Sequence, residues 1–212
     1  MSRDIIKATE RFVKNHLENV ESGHDWWHIT RVRGMALHIY SREKAGDPFI
    51  IEMAALLHDI DDYKITPGNN NDLLDGFLAE SGIKGAQQDK IRYIIDHISF
   101  RDSFGPSYEH IPELDTVQDA DRLDAIGATG IARAFNYGGS LGLDIYNPGE
   151  KPVDYKSTGE YTSSRSSTIN HFYEKLLRLK DMMNTKTGRT MAEERHRYME
   201  GFLKQFMNEW SS

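Results

Sequence analysis

The 212-residue chain combines 38% hydrophobic with 28% charged residues, a composition typical of a globular protein rather than a disordered or membrane-spanning one. Its net charge of −7 argues against a general nucleic-acid binder, and the absence of cysteine excludes disulfides and thiolate metal sites. No apolar run approaches the roughly 18 residues of a membrane span, and the N-terminal MSRDIIKATERF lacks the apolar core of a signal peptide. We therefore expect one cytoplasmic domain over residues 1–212, with neither nucleic acid nor membrane as partner. The sequence leaves its oligomeric state open.

Hydrophobic periodicity predicts helices from the start of the chain, and no segment sustains the alternation of a strand. One apolar stripe runs from Ile5 to Val20 and ends at Ser22-Gly23, and a second helix is predicted from after Asp25 to about Ala45. The segment Pro48–His58 has proline in the favoured first-turn position and is apolar on nearly every face. It is predicted to be a central buried helix.

The rest of the chain is also predicted to be helical, apart from one long stretch. Residues 136–163 are rich in Gly, Ser, Asp and Tyr and show no sustained period. Irregular segments of this length are more often functional than mere connectors, so we expect a loop that acts as a lid. The predicted helices around it are 72–80, 87–97, 114–135, 164–183 and 190–210, the last two forming the C-terminal part of an all-α domain.

His58-Asp59 ends the apolar helix, where burying a carboxylate beside an imidazole is costly unless both are paired or bind a metal. Alone, the dipeptide is equally compatible with a capping histidine followed by a turn. His28 lies beside an apolar stripe on the second helix, a position that a packed core histidine also takes. Downstream, QDADRLDAIG places three acids in a stretch otherwise built to pack, and Asp121 and Asp124 share one helical face.

The order His28, His58-Asp59, Asp121 resembles the H…HD…D signature of the HD phosphohydrolase superfamily. The contexts HDWWHITRV, ALLHDIDDYK and QDADRLDAIGATG look like those of its bacterial single-domain members and extend over roughly the first two-thirds of the chain. The resemblance implies an all-α helical bundle in which these four residues bind one divalent metal. Asp121 is preferred as the late ligand, with Asp119 or Asp124 in support.

The ligand set also makes chemical sense. Two imidazoles and two carboxylates suit Mn, our first choice, and also Fe, Co, Ni, Mg or Zn, and they leave positions open for water and substrate. Such an ion lowers the pKa of water and neutralises a phosphoryl oxygen, which is most of what phosphoryl transfer requires.

Several further residues are candidates for substrate chemistry. By the resemblance, Asp62 would take the proton of the attacking water, with Asp61 as the next candidate. Lys64 could contact a phosphate. For His97 three roles stay open, namely ligand to a second metal, hydrogen-bond donor to substrate, or packing, and His110 is a weaker candidate of the same kind. The predicted phosphate-binding residues are Arg31, Arg122 and Arg165, each also compatible with a surface ion pair.

The reaction implied is hydrolysis of a phosphoester or phosphoanhydride in a small molecule, with nucleotides the leading substrates. A cyclic-nucleotide phosphodiesterase is the first alternative and would be favoured by a dinuclear site with His97 and His110 as added ligands. Di-iron oxygenation on the same fold would need the second metal. The alternative from another class is a helical phosphate-binding module with a structural metal. A structural site has all its positions filled by protein, whereas the ligands counted here leave it open and favour an enzyme.

Overall fold

The computed structural model describes residues 2–17, 25–60 and 72–211. In these ranges the chain forms ten α-helices and two 3-10 helices, and the described residues contain no strand. The predicted all-α fold is thereby confirmed. The described chain divides into two compact units, a first unit of residues 1–100 and 107–120 and a second unit of residues 101–106 and 121–212.

The first unit contains five complete helices and most of a sixth. Each begins or ends close to its predicted boundary, and for the second and third helices aspartates at N-cap positions, with Pro48 in the third, mark the start. Asp25 accepts a hydrogen bond from the backbone N–H of His28 at 2.8 Å, and Asp47 accepts one from Phe49 at 2.9 Å. The helices are α1 (Ser2–Leu17), α2 (Trp26–Glu43), α3 (Pro48–Leu57), α4 (Asp72–Glu80), α5 (Gly85–His97) and α6 (Pro112–Asp124), of which residues 112–120 belong to this unit.

The core of the first unit is α3, which packs against α1, α2 and α5. Its residues from Met53 to Leu57 are all wholly buried, which confirms the prediction of a central apolar helix. Burial of each such leucine contributes roughly 2 kcal/mol relative to exposure. Because α3 is enclosed, the residues that follow it, His58 and Asp59, are also buried.

The start of α3 is attached to the start of α6 through Glu113, a carboxylate that is 2% exposed. Its Oε1 accepts hydrogen bonds from the backbone N–H of Asp47 and from Lys90 Nζ, both at 2.8 Å. Gly46 allows this close approach, because a Cβ there would lie 2.8 Å from Glu113 Cγ and the backbone φ is +85°. The pKa of Glu113 is lowered because, although burial acts to raise it, these hydrogen bonds outweigh that effect.

The predicted helix over 114–135 is wrong in one respect, because the chain breaks it into two. α6 ends at Asp124 and α7 (Gly127–Ser140) begins three residues later. Gly127 has a φ of +76°, a left-handed conformation that helical residues do not adopt. Small residues in this stretch are also typical of a helix surface that packs closely against a neighbouring helix. Gly127 instead forms the corner at which the chain turns from α6 into α7.

The segment predicted as a loop over 136–163 is partly helical. α7 continues to Ser140, and α8 (Thr158–Ser163) is capped by Ser157, so the stretch outside these helices is 141–157. The stretch also has partners inside the second unit, since the carbonyl of Asp144 accepts a hydrogen bond from the backbone N–H of Thr168 at 2.9 Å. A lid function for this segment stays a prediction.

The C-terminal part of the second unit is also divided more finely than predicted. The helix expected over 164–183 is α9 (Thr168–Glu174) followed by a 3-10 helix (Leu176–Met182), because the backbone at Lys175 leaves the helical region. α10 (Lys186–Trp210) starts four residues earlier than expected, where Thr185 caps it. Stacked rings of Phe172 and Phe202, with centroids 5.9 Å apart, join α9 to α10.

A shorter 3-10 helix, Phe100–Phe104, was not predicted. Among the described residues, no helix has the length and apolarity required to cross a membrane.

Candidate metal centre

Three of the predicted metal ligands lie together in the first unit. His28 is in the first turn of α2, and His58 and Asp59 follow the end of α3. All three are buried, His28 completely and the other two with 6% and 5% exposure. They form the one cluster of at least three potential ligand residues found in the part of the chain that the structure describes.

The ligand atoms of the cluster converge. His28 Nε2 lies 3.2 Å from His58 Nε2 and 3.2 Å from Asp59 Oδ2, and His58 Nε2 lies 3.5 Å from Asp59 Oδ1. The two rings meet edge to face, at an interplanar angle of 68°. Nitrogen or oxygen ligands about 2.1 Å from a common ion lie about 3 Å apart when they subtend a right angle at it. The separations therefore fit one ion bound by all three side chains.

The surrounding backbone determines how the ring nitrogens are used. His58 Nδ1 lies 3.0 Å from the carbonyl oxygen of Ala55. Since a carbonyl can only accept, Nδ1 carries the proton and Nε2 presents its lone pair to the cluster, the arrangement common to metal-binding histidines. Asp25 holds the backbone of His28 in place as the N-cap of α2. A lone pair of His58, a second imidazole nitrogen from His28 and a carboxylate that converge in a buried position are the donor set expected of a divalent-metal site.

The acids of α6 differ in their surroundings. Asp119 is wholly buried and belongs to the first unit, whereas Asp121 is half-buried and begins the second. Asp124, 5% exposed, accepts a hydrogen bond from Arg133 Nη1 at 2.8 Å within the second unit. Asp121 as the fourth ligand stays a prediction, with Asp119 as its alternative.

Two residues predicted to take part in catalysis, Asp62 and Lys64, lie outside the described residues, as does Asp61. They come within six positions of His58 in the chain. Their roles stay predictions.

His97 ends α5 in an aromatic group of the first unit. Its Nδ1 donates to the carbonyl of Tyr93 at 2.7 Å, which leaves Nε2 as the ring's acceptor, and its ring contacts those of Tyr93 and Tyr108. Gln118 completes the group: its Nε2 donates to the carbonyl of His97 and to Tyr108 Oη, both at 2.9 Å. His110 contacts Tyr108 and pairs with an aspartate of α6. Sequence reasoning missed Gln118 and Tyr108. An amide directly before Asp119, in a stretch otherwise built to pack, was the available signal for Gln118.

The three predicted phosphate-binding arginines are distributed along the chain. Arg31 is exposed on α2 of the first unit. In the second unit, Arg122 is 6% exposed and its Nη1 donates to the carbonyl of Met182, while Arg165 is exposed and donates to the carbonyl of Leu141 at 3.0 Å. Their contacts with substrate stay predictions.

A cavity of about 610 Å³ in the second unit, between α7 and α10, is lined by none of the predicted site residues.

Comparison with known proteins extends over nearly the whole chain. No family model matches. The uncharacterized protein YpgQ of Bacillus subtilis is 42% identical over 197 residues, 92% of this chain and 88% of its own length. Its structure in complex with ADP superimposes with a TM-score of 0.75 at 36% identity, covering 96% of this chain and 97% of YpgQ.

Two further solved structures are similar over the full length. A protein of Lactobacillus plantarum superimposes with a TM-score of 0.90 at 34% identity, covering 100% of this chain and 99% of its own. An HD-superfamily hydrolase of Bacillus thuringiensis is 42% identical, with a TM-score of 0.75 and complete coverage of both chains. With the His28, His58 and Asp59 cluster described above, this similarity gives the family: the chain belongs to the HD superfamily of hydrolases.

Proposed function

We propose that this protein is a metal-dependent phosphohydrolase that cleaves a phosphoester or phosphoanhydride bond in a nucleotide. The observation that carries the proposal is the buried cluster in which His28 Nε2 lies 3.2 Å from both His58 Nε2 and one Asp59 carboxylate oxygen, while His58 Nε2 lies 3.5 Å from the other oxygen. HD-superfamily membership supports a divalent metal and a hydrolytic reaction.

A carboxylate of α6 completes the proposed ligand set. Asp121 is the candidate from the family motif, and Asp119 is the alternative because a wholly buried carboxylate needs a cation or hydrogen-bond donors. Mn²⁺ is the proposed ion, since a mixed imidazole and carboxylate set suits it, with Fe, Co, Ni, Mg and Zn as the ions to compare.

The ion and the other candidate residues have separate proposed roles in the reaction. The bound ion would supply a water of lowered pKa and charge neutralisation at a phosphoryl oxygen. Asp62 would accept the proton of the attacking water, and Lys64, Arg31, Arg122 and Arg165 would hold phosphate oxygens. His97 would hydrogen-bond the substrate through Nε2, because its Nδ1 is committed to a backbone carbonyl.

A nucleotide is the proposed substrate because YpgQ, a close relative of this chain, was solved in complex with ADP. An adenine nucleotide therefore belongs at the head of any substrate panel. Whether phosphate or pyrophosphate leaves depends on which bond the protein aligns with the ion. The panel therefore includes nucleoside mono-, di- and triphosphates and cyclic nucleotides, with release of both products measured.

The test is a substrate-panel assay on metal-stripped protein reloaded with Mn²⁺, Co²⁺, Ni²⁺, Mg²⁺ or Zn²⁺. Turnover is expected with at least one ion. Asp59→Ala should lower kcat/KM by at least about 100-fold, because it removes a charged ligand. Asp75→Ala is the matched control, since Asp75 is exposed on α4 and pairs only with Arg92 among the contacts seen. Tight metal binding without turnover of any nucleotide would contradict the proposal and favour a binding module. Turnover of cyclic nucleotides alone would favour the phosphodiesterase.

A further inference from the structure

The end of α6 is held by a guanidinium from the C-terminal helix. Arg195, on α10, donates from Nη1 to the carbonyl oxygen of Leu123, one residue before α6 ends. The Leu123 carbonyl also accepts a weaker hydrogen bond from the backbone N–H of Ile126 at 3.3 Å, and a cation is favoured at this end of the helix by the helix dipole. Arg195 thus supplies both a hydrogen bond and a favourable charge to the final turn of α6.

The stem of Arg195 also packs against the corner between α6 and α7. A Cβ built at Gly127 would lie 3.0 Å from Arg195 Cγ and 3.1 Å from Arg195 Cβ, closer than nearly all real contacts. The positive φ of Gly127 and this contact together require glycine at the corner. The side chain of Arg195 therefore lies against the corner itself as well as bonding to the turn before it.

Two other arginines of the second unit hold neighbouring residues of the same turn. Arg122 donates from Nη1 to the carbonyl of Met182, and Arg133 pairs with Asp124 at 2.8 Å. Leu123, in the same turn, is wholly buried. Arg195 is the member of this set that bonds to the backbone of α6, so it acts on the position of the helix rather than on one side chain.

We propose that Arg195 is a positioning residue for Asp121, the predicted metal ligand two residues before the bonded carbonyl. The inference rests on the proposed function. Loss of the Leu123 contact would let the last turn of α6 fray or rotate, and Asp121 lies in that turn. Side chains that orient metal ligands typically change metal affinity 10- to 100-fold when removed.

The test is Co²⁺ binding to the metal-stripped full chain, followed by the visible absorption of the ion and by titration for Kd. Arg195→Met is expected to raise the Kd for Co²⁺ about tenfold and to change the absorption of the bound ion, with partial recovery in Arg195→Lys, which keeps a cation. Arg189→Met is the matched control. Arg189 lies on the same helix and likewise donates to backbone carbonyls, but these are the carbonyls of Met183 and Asn184, which lie outside α6.

The outcomes separate the possibilities. An unchanged Kd in a folded Arg195→Met, or an equal rise in Arg189→Met, would overturn the positioning role. If Arg195→Met does not fold, Arg195→Lys carries the test, with a rise in Kd of about threefold or more expected and no rise contradicting the role. Failure of the proposed function would look different, because the wild type itself would then bind no Co²⁺ or would bind it equally well as His58→Ala.

Discussion

Both units bury carboxylates, and the surroundings of Asp59 in the first unit and of Glu174 in the second are of opposite kinds. In the first unit, Asp59 faces the ring nitrogens of His28 and His58 at 3.2 and 3.5 Å. In the second, Glu174, 2% exposed, accepts hydrogen bonds from the backbone N–H of Val153 at 3.0 Å and from Ser166 and Tyr155 hydroxyls at 2.7 and 3.0 Å.

Burial alone therefore does not identify a functional carboxylate. Glu174 is surrounded by neutral donors, so it holds the segment around residues 153–166 in place without any added ion. Asp59 lies beside two imidazole nitrogens, of which His58 Nε2 presents a lone pair, and these groups become mutually compatible when a cation lies among them. A buried carboxylate surrounded by hydrogen-bond donors, such as Glu174, is a structural anchor, whereas one that faces other potential ligand atoms, such as Asp59, is a candidate metal ligand.

The largest expected effect concerns Asp59. At a Mn²⁺ concentration of 100 times Kd, the wild type should gain about 2.7 kcal/mol in free energy of unfolding, because the ion binds only the folded state. Asp59→Asn should gain almost nothing at the same concentration. Urea unfolding with and without Mn²⁺ measures both values, and an equal gain in the two proteins would show that Asp59 is not a ligand.

The second expected effect is at Glu174, where substitution should lower the stability of the protein without changing its response to Mn²⁺. Glu174→Gln should lower the free energy of unfolding by about 1–3 kcal/mol without Mn²⁺, because the amide cannot accept from all three donors. The further gain on adding Mn²⁺ should equal that of the wild type. If Glu174→Gln instead abolished the Mn²⁺ gain, the contrast between anchor and ligand would fail.

The smallest effect is a pH dependence at Tyr155. Burial, with Glu174 acting in the same direction, raises the pKa of Tyr155 to about 12. The pKa of Tyr155 in the folded protein lies above its ordinary value of 10.0. The contribution of its protonated hydroxyl to the free energy of unfolding is therefore complete below pH 10 and is lost as the pH rises towards about 12.

The wild type should therefore lose more free energy of unfolding between pH 9 and pH 11 than Tyr155→Phe does. Urea unfolding of both proteins at the two pH values measures the difference. Identical losses would mean that the hydroxyl of Tyr155 is not held by Glu174 as described.

Sequence reasoning reached the helical class and the buried α3 because each depends on a local pattern, either periodicity or a proline start. It reached His28, His58 and Asp59 as ligands through the resemblance to the HD motifs, since the local patterns alone left their roles open. It missed the break at Gly127, since a glycine among small residues looks the same in a helix-packing face and in a corner. It also missed α8, whose six residues are too few to show a period.

By itself, the sequence determined which segments are helical and which residue types could bind a metal, because helix propensity and ligand chemistry are properties of residues and their near neighbours. Only the tertiary structure decided that His28 meets His58-Asp59 thirty residues away, and that Glu174 is an anchor. Such contacts depend on how helices pack, and packing is determined by the whole core rather than by any one segment.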